Sequence, residues 1–192
     1  MNAKKREQRL AVICYLKKRS ATDPETLFLK RDADQRDFQY GMYIGVGGKI
    51  KDGERPEQAV LREVFEETGG ETIGGNKGLH VHQPMYKGVL VFDNQGRVFS
   101  NGLPQPDWYV HAFVAHRFSG EMGSSKEGSL VWVPHSQLDQ IAMWEGDRIF
   151  LPWLERSEIF SARFRYDDKK LTSYDATFYA PSGNILEEKW ER

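Results

Sequence analysis

The sequence predicts an α+β fold in which one well-bounded helix accompanies a large β-sheet. Strand-forming residues recur along most of the chain, whereas a helical pattern with a clear beginning and end is found at residues 56–70. The length of 192 residues suits one domain with a substantial hydrophobic core. We therefore expect residues 1–192 to form a single domain that begins with a polar tail at residues 1–9.

The first part of the chain predicts strands on either side of a glycine-rich segment. Residues 10–16 and 26–30 are rich in β-forming side chains and are joined by a polar connection. Residues 43–50 place three glycines among apolar side chains. Glycine lacks a Cβ atom, so this composition indicates a strand end that another backbone approaches closely.

The helix at residues 56–70 carries signals at both ends. Pro56 suits the first helical turn, and Glu57 complements the positive end of the helix dipole. Gly69 and Gly70 end the helix. An apolar stripe along the helix predicts a buried face, formed by Val60, Leu61, Val64 and Phe65.

Strand-like composition dominates the chain after the helix. The predicted strands are residues 79–92, 107–118 and 129–133, and a terminal hairpin of residues 160–166 and 171–179. Short helices are predicted at residues 136–141 and 147–156, with Asp147 as the cap of the second. Residues 93–106 are rich in Asn, Gly and Pro, which predicts a surface loop insertion near a site.

Composition excludes several classes of protein. The formal net charge is −1, so the chain as a whole is not attracted to duplex DNA or to a membrane surface. Cys14 is the only cysteine, which excludes a disulfide and a zinc site built from cysteines. We find no signal peptide and no apolar stretch of membrane-spanning length. A soluble, cytoplasmic protein is expected.

An acidic face on the helix carries the strongest chemical signal. Glu63, Glu66 and Glu67 stand at positions i, i+3 and i+4, so their carboxylates share one face of the helix. Three like charges repel one another unless cations hold them together. Hard oxygen ligands at this density favour Mg²⁺, which also binds substrate phosphates.

The glutamates belong to a longer pattern with the spacing of the Nudix box. The matching residues are Gly48, Glu54, Arg62, Glu63, Val64, Glu66, Glu67 and Gly69. The chain resembles the Nudix hydrolase superfamily in this pattern, although most members follow it with an apolar residue where this chain has Gly70. The resemblance implies an α/β/α sandwich with a mixed β-sheet, a catalytic Nudix helix, and a Mg²⁺ cofactor for which Mn²⁺ can substitute.

The resemblance also implies catalytic roles. Glu63, Glu66 and Glu67 would bind metal or activate water, with Glu63 as the first choice of base, and Arg62 would orient a glutamate. The carbonyl of Gly47 would join the metal ligands. The metals would neutralise phosphate oxygens and align water for in-line attack on phosphorus.

Several segments outside the box resemble the MutT-like and MutX-like triphosphatases that remove oxidised purine nucleotides. These segments are residues 43–49, 107–109, 127–134, 144–147 and 160–164. By this resemblance, Glu127 is a further metal-binding carboxylate, Trp144 stacks on the base and Asp147 bonds its edge. Ile44 and Gly146 differ from the asparagine and aspartate of the oxidised-purine triphosphatases. The remaining predicted substrate contacts are Tyr43, Ile44, Lys49 and Trp108.

Three functions stay open at this point. The first is Mg²⁺-dependent hydrolysis of a purine nucleoside triphosphate such as 8-oxo-dGTP to the monophosphate and pyrophosphate. The second keeps the same metal site but acts on a nucleoside diphosphate sugar of the ADP-ribose type or on the 5′ end of RNA. The third is a non-catalytic nucleotide-binding module. The expected partner is a nucleotide, and monomer and homodimer remain alternatives.

Overall fold

A computed structural model describes residues 6–70, 77–95, 97–98 and 105–191. Strands occupy much of this part of the chain: β1 (Gln8–Lys18), β2 (Glu25–Lys30), β3 (Tyr43–Ile44), β4 (Val46–Lys49), β5 (Gly78–Val81), β6 (Met85–Asp93), β7 (Asp107–Ala115), β8 (Phe118–Glu121), β9 (Ser129–Pro134), β10 (Ile159–Asp167), β11 (Lys170–Tyr179) and β12 (Ile185–Glu191). The α-helices are α1 (Pro56–Phe65) and α2 (Glu145–Phe150). A π-helical turn, Glu66–Gly70, follows α1, and 3₁₀ segments cover His135–Gln140 and Leu151–Glu155.

The described strands form a large mixed sheet and a small two-stranded one. The large sheet has the order β12-β11-β10-β6-β7-β1-β2-β3, with β4 also paired to β1 and β9 also paired to β2. The pairs β1/β7 and β6/β10 are parallel, and the other pairs are antiparallel. The small sheet pairs β5 with β8. The predicted mixed sheet is confirmed.

Strand β1 contributes to hydrophobic clusters on both faces of the sheet. Alternate residues of a strand point to opposite faces. Val12, Cys14 and Leu16 pack with the apolar side of α1, whereas Ala11 and Tyr15 pack with a second cluster. That second cluster includes side chains from α2 and the 3₁₀ segment after it, namely Phe150, Trp153 and Leu154. Helical elements therefore cover both faces, as the expected α/β/α arrangement requires.

Two predicted strands are each divided into two. Residues 79–92 form β5 and β6, which belong to different sheets, because Gln83 adopts a φ of 54° and interrupts the strand. Residues 107–118 form the whole of β7 and the first residue of β8, separated by a turn at residues 116–117. The turns allow β5 and β8 to pair with each other beside α1.

The predicted tail at residues 1–9 is wrong from residue 6 onward. Arg6 Nη1 lies 2.8 Å from Asp93 Oδ1, and the Asp107 amide donates to the Glu7 carbonyl at 2.9 Å. β1 then begins at Gln8. The polar side chains of Gln8 and Arg9 obscured the beginning of this strand in the sequence, but their backbone pairs with β7. Residues 1–5 lie outside the described residues.

The predicted loop at residues 93–106 is partly described. Asp93 ends β6, and the Gln105 amide donates to the Arg97 carbonyl at 2.8 Å. Residues 96 and 99–104 lie outside the described residues. The beginning of this loop is tied through Asp93 to Arg6 and to Arg165 of β10, and its position near a site stays a prediction.

The C-terminal part differs from the prediction in two respects. α2 begins at Glu145 with Trp144 at the capping position, so Asp147 is not the cap; its side chain is buried within the first turn. The terminal hairpin is present as β10 and β11, but β12 extends it. None of the helices in the described part of the chain has the length and apolar character needed to cross a membrane.

Candidate active site

Arg62 organises the acidic side chains at the end of α1. Its guanidinium bonds both oxygens of Glu54, with Nε 2.8 Å from Oε1 and Nη2 2.7 Å from Oε2. Its Nη1 atom lies 2.6 Å from Glu63 Oε1 and 2.9 Å from Glu66 Oε2. Nη2 also donates to the Lys49 carbonyl at 3.0 Å. One cation therefore holds three carboxylates and the end of β4 together.

The glycines of β4 allow the backbone to approach these carboxylates. The Gly47 amide donates to Glu67 Oε2 at 2.8 Å. A Cβ atom at Gly48 would lie 2.4 Å from Glu63 Oε2, and one at Gly47 would lie 2.2 Å from the Val12 carbonyl oxygen. Since real Cβ atoms do not approach so closely, a side chain at Gly47 would push β4 away from β1, and one at Gly48 would displace the Glu63 carboxylate.

The π-helical turn Glu66–Gly70 fixes a second segment over the site. The Thr68 hydroxyl donates to the Val64 carbonyl at 2.6 Å and accepts from the Leu79 amide at 2.7 Å. Gly69 has a φ of 120°, and the Gly123 amide donates to the Thr68 carbonyl at 2.6 Å. The segment after Gly123 then closes a pocket of about 170 Å³, which is lined by Glu63, Glu66, Glu67, Ser124, Ser125, Lys126 and Glu127.

Burial and charge shift the pKa values of these carboxylates in opposite directions. Burial raises the pKa of Glu67 to about 8, and the neighbouring Glu63 and Glu66 add to this effect. Burial also raises the pKa of Glu63, against the opposing influence of Arg62. The hydrogen bonds from Arg62 lower the pKa of Glu54 to about 2. Glu54 is thus the fixed anion of the group, whereas burial disfavours the ionised form of Glu67.

The donor set of this pocket fits a divalent metal with hard oxygen ligands. Glu63, Glu66, Glu67 and Glu127 bring four carboxylates to one pocket. Carboxylate oxygens are the preferred ligands of Mg²⁺. Within the described ranges, no three such side chains already converge as a metal-binding group. Arg62 and the Gly47 amide hold carboxylate oxygens instead. The metal-binding role of the Gly47 carbonyl and of these glutamates stays a prediction.

A second, aromatic region surrounds Trp144. The Trp144 ring is stacked on Phe38, with centroids 5.5 Å apart and an interplanar angle of 18°. Tyr166 meets the same ring edge-on, with centroids 5.8 Å apart. The Trp144 Nε1 atom is buried and has no hydrogen-bond partner among the described residues. Phe38 thus covers one face of the ring, so an aromatic ligand would stack on the opposite face or take the place of Phe38.

Asp147 lies behind Trp144 in an apolar environment. Burial raises its pKa to about 8, so the neutral carboxyl group is favoured. The Gly146 amide donates to Tyr166 Oη at 2.8 Å, which joins the start of α2 to β10. A neutral carboxyl group can both donate and accept a hydrogen bond.

The other predicted substrate residues lie around these two regions. Tyr43 packs against the cluster that contains Tyr166, and its amide donates to the Ala142 carbonyl at 2.8 Å. Ile44 pairs with Leu29 of β2. Lys49 is exposed at the end of β4, beside Arg62. Trp108 lies on β7, and the guanidinium carbon of Arg9 is 5.5 Å from its ring. The described hydrogen bonds do not connect Trp108 to the acidic pocket.

The structure adds residues that the sequence did not indicate. Arg31 lies at the border of a charged, irregular segment that carries no periodic pattern, and Phe38 lies within that segment. Tyr166 appeared only as a residue of a terminal hairpin. Their roles depend on contacts between distant parts of the chain, so no local pattern could have revealed them.

Comparisons with known proteins agree with this geometry. The NUDIX domain family model matches residues 7–154. The chain is 27% identical over 157 residues to the uncharacterised Nudix hydrolase YvcI of Bacillus subtilis, covering 80% of this chain and 87% of that protein. It is 25% identical over 135 residues to the mouse oxidised purine nucleoside triphosphate hydrolase, covering 70% and 76%.

Solved structures share the fold. A MutT protein from Bacillus halodurans superimposes with a TM-score of 0.62 at 24% identity, covering 95% of this chain and 97% of that one. The family match includes α1, its glutamates and both regions around the candidate site apart from Tyr166. The chain belongs to the Nudix family and is a hydrolase that acts on phosphoric anhydride bonds.

Proposed function

We propose that this Nudix hydrolase cleaves a purine nucleoside triphosphate to the monophosphate and pyrophosphate, with Mg²⁺ as its cofactor and Mn²⁺ as a substitute. An oxidised purine such as that of 8-oxo-dGTP is the leading base. The similarity to the mouse and zebrafish oxidised purine nucleoside triphosphate hydrolases supports this substrate class. We expect the enzyme to bind a nucleotide substrate and to act in the cytoplasm. We expect it to bind neither duplex DNA nor a membrane.

The short path between the two regions is the observation that carries the proposal. Tyr43 at the aromatic region and Gly47 at the acidic pocket are separated by only three residues, Ile44–Val46 in the sequence. Four residue steps of extended chain span at most about 13 Å, which supports a substrate that reaches from a stacking surface beside β3 to a phosphate pocket beside β4. A purine on Trp144 would direct its phosphates along β4 toward Glu67.

The residues of the chain divide the chemistry among them. A divalent cation, when bound, neutralises phosphate oxygens and lowers the pKa of an attacking water. Glu66, Glu67 and Glu127 supply carboxylates for that cation, and Glu63 takes the proton of the water. Arg62 holds Glu63 in place, and Trp144 with neutral Asp147 holds the base.

A release assay over several substrate classes tests the proposal. The substrates are ordinary and oxidised purine triphosphates, ADP-ribose, other nucleotide sugars and triphosphorylated RNA, each with and without Mg²⁺. We expect a purine triphosphate to give the highest kcat/KM, with pyrophosphate as product. Preference for a nucleotide sugar or an RNA end would keep the catalytic residues and overturn the base assignment.

The Glu67→Gln variant tests the acidic pocket directly. The amide preserves the shape of the side chain and can still accept from the Gly47 amide, but it removes the charge that a divalent cation needs. We expect an unchanged circular dichroism spectrum and a fall in Mg²⁺-dependent kcat of about 10²-fold or more. Glu57→Gln, on an exposed part of the same helix, is the control. Wild-type turnover in Glu67→Gln would refute the site.

A further inference from the structure

Arg31 makes contact with two carboxylates from different parts of the chain. Its Nε atom donates to Asp37 Oδ2 at 2.8 Å, and its Nη1 atom pairs with Glu127. The Arg31 side chain is only 19% exposed. Its own backbone is fixed, since its amide donates to the Met42 carbonyl at 2.9 Å and its carbonyl accepts from the Gly41 amide at 2.7 Å. Arg31 is thus the anchored end of the loop formed by residues 32–41.

Asp37 connects Arg31 to the aromatic region around Trp144. The Asp37 Oδ1 atom accepts from the Gln39 amide at 3.0 Å, and the Asp37 carbonyl accepts from the Tyr40 amide at 3.0 Å. Phe38 lies inside this turn and stacks on Trp144. The position of Phe38 is therefore determined by the same carboxylate that Arg31 holds.

Glu127 has a fixed backbone and an adjustable side chain. The neighbouring Ser129 amide donates to Asp32 Oδ1 at 2.9 Å, and a Cβ atom at Gly128 would lie 1.9 Å from the Lys30 carbonyl oxygen. The segment around Glu127 is thus pressed against the root of the 32–41 loop. The direction of the Glu127 carboxylate, which lines the pocket of Glu63, Glu66 and Glu67, is set by Arg31.

We propose that Arg31 is a positioning residue that orients Glu127 at the acidic pocket and links this orientation to the Phe38 loop. A planar guanidinium can bond two carboxylates in fixed directions, whereas the ammonium of lysine acts as a point charge. A base bound against Phe38 and Trp144 would hold the loop, and with it Asp37 and Arg31, in the arrangement that directs Glu127. The idea rests on the proposed function, because it assigns Glu127 to turnover of a nucleotide.

The kinetic test compares Arg31→Gln and Arg31→Lys with Arg36→Gln. Arg36 belongs to the same loop and, like Arg31 and Glu127, lines a second surface pocket. However, Arg36 pairs with Asp34 and is 90% exposed. We expect Arg31→Gln to lower kcat about 10-fold or more with KM changed less than about 3-fold, because a misdirected catalytic group slows the chemical step. Arg31→Lys should recover only part of this loss, and Arg36→Gln should match the wild type. Equal kcat values in all variants would overturn the proposal.

The link to the base is tested with inorganic tripolyphosphate, which lacks a base. In the wild type, the base of the purine triphosphate would contact Phe38 and hold the loop in this arrangement. Tripolyphosphate has no base and cannot do so. Arg31→Gln and Asp37→Asn should therefore reduce the ratio of kcat/KM for the purine triphosphate to kcat/KM for tripolyphosphate. Arg36→Gln should leave this ratio unchanged. A purely structural role for Arg31 would slow both substrates equally and leave the ratio intact, which would refute the link.

A thermal stability cycle separates this idea from the proposed function. Arg31→Gln, Glu127→Gln and the double variant are compared by Tm without any substrate. We expect the Tm shift of the double variant to be smaller than the sum of the single shifts, since each single change leaves the other charge without its partner. Additive shifts would show that Arg31 and Glu127 are not coupled. Coupling in a protein that hydrolyses no nucleotide would instead refute the proposed function alone.

Discussion

Asp147 shows how one residue can combine a cost to folding with a role in recognition. The residue is 5% exposed, and burial raises its pKa more than the neighbouring charge of Arg148 lowers it. Tyr15 and Tyr166 both lie near enough for its charge to raise their pKa values. Ionisation at this position would therefore place a charge among apolar and phenolic groups.

The Asp147→Asn variant should alter the dependence of stability on pH. The pKa of Asp147 rises from an ordinary value of 3.8 to about 8 in the folded chain. The folded state thus holds this proton more tightly than the unfolded state, and the free energy of unfolding falls as pH rises between those values. We expect Asp147→Asn to have a higher Tm than the wild type at pH 8 but not at pH 4.

The control for this prediction is Asp139→Asn. Asp139 lies in the 3₁₀ segment before α2, and its side chain is fully exposed. Its substitution should leave the pH dependence of Tm unchanged. Glu67 also has a raised pKa, so a smaller slope should remain in Asp147→Asn and decrease further when Glu67→Gln is added. Identical slopes for Asp147→Asn and the wild type would contradict the burial argument.

Sequence spacing predicted the acidic residues at this scale but not their neighbours. Glu63, Glu66 and Glu67 are close because of helical periodicity, which is a local property. The stacking of Phe38 on Trp144 depends on how a loop folds over β3 and α2. Arg31 reaches Glu127 across a comparable separation in sequence. Such contacts are determined by tertiary packing, so they could not be predicted from local patterns.

At the scale of elements, Arg62 acts as a brace: its hydrogen bonds fix the loop at residues 50–55 to helix α1. The loop carries Glu54, whose Oε2 atom also accepts from the Lys51 amide at 2.9 Å. The guanidinium thus connects loop, helix and β4. This connection keeps the carboxylates of Glu63 and Glu66 at their present separation from one another.

The Arg62→Lys variant tests the brace. Lysine retains the charge but cannot bond both Glu54 oxygens and the Lys49 carbonyl at once. We expect a loss of about 1–3 kcal/mol in unfolding free energy, measured by urea denaturation, and a reduced Mg²⁺-dependent kcat. Arg163→Lys, at an exposed pair with Asp175, should cost under about 1 kcal/mol. A smaller loss for Arg62→Lys than for Arg163→Lys would exclude the brace.

Element boundaries were predictable where a strong local signal marked them. Proline and glycine bounded α1. Pro84, directly after Gln83, marks the turn between β5 and β6 in the same way, although one continuous strand was predicted through it. β12 was missed because it contains mainly charged and exposed residues, and it pairs only with β11 among the described strands. An edge strand is defined by backbone pairing more than by its side chains.

At the scale of the whole molecule, an aromatic group joins the C-terminal strands to the rest of the fold. Trp153 lies in the 3₁₀ segment after α2 and is 6% exposed. Its ring centroid is 5.1 Å from that of Phe178 in β11 and 5.6 Å from that of Phe160 in β10. The same ring stacks on Phe164, which belongs to the cluster beneath β1.

The Trp153→Ala variant should therefore destabilise the entire fold. Removing this ring leaves a cavity between several aromatic side chains, and such changes cost about 3–5 kcal/mol. Trp190→Ala is the control, because Trp190 is 74% exposed on β12, and we expect it to cost under about 0.5 kcal/mol. Both values follow from urea denaturation monitored by circular dichroism. Similar costs for the two variants would contradict the assigned core.

The parallel pairing of β1 with β7 has a consequence for the speed of folding. Gln8 is opposite Asp107, so the two strands that meet at the centre of the sheet are roughly a hundred positions apart in the chain. Closing so long a segment costs conformational entropy before any contact rewards it. β6 and β10 repeat the situation with another long separation. Refolding from denaturant should consequently take milliseconds to seconds rather than microseconds, with the β1 and β7 amides protected late.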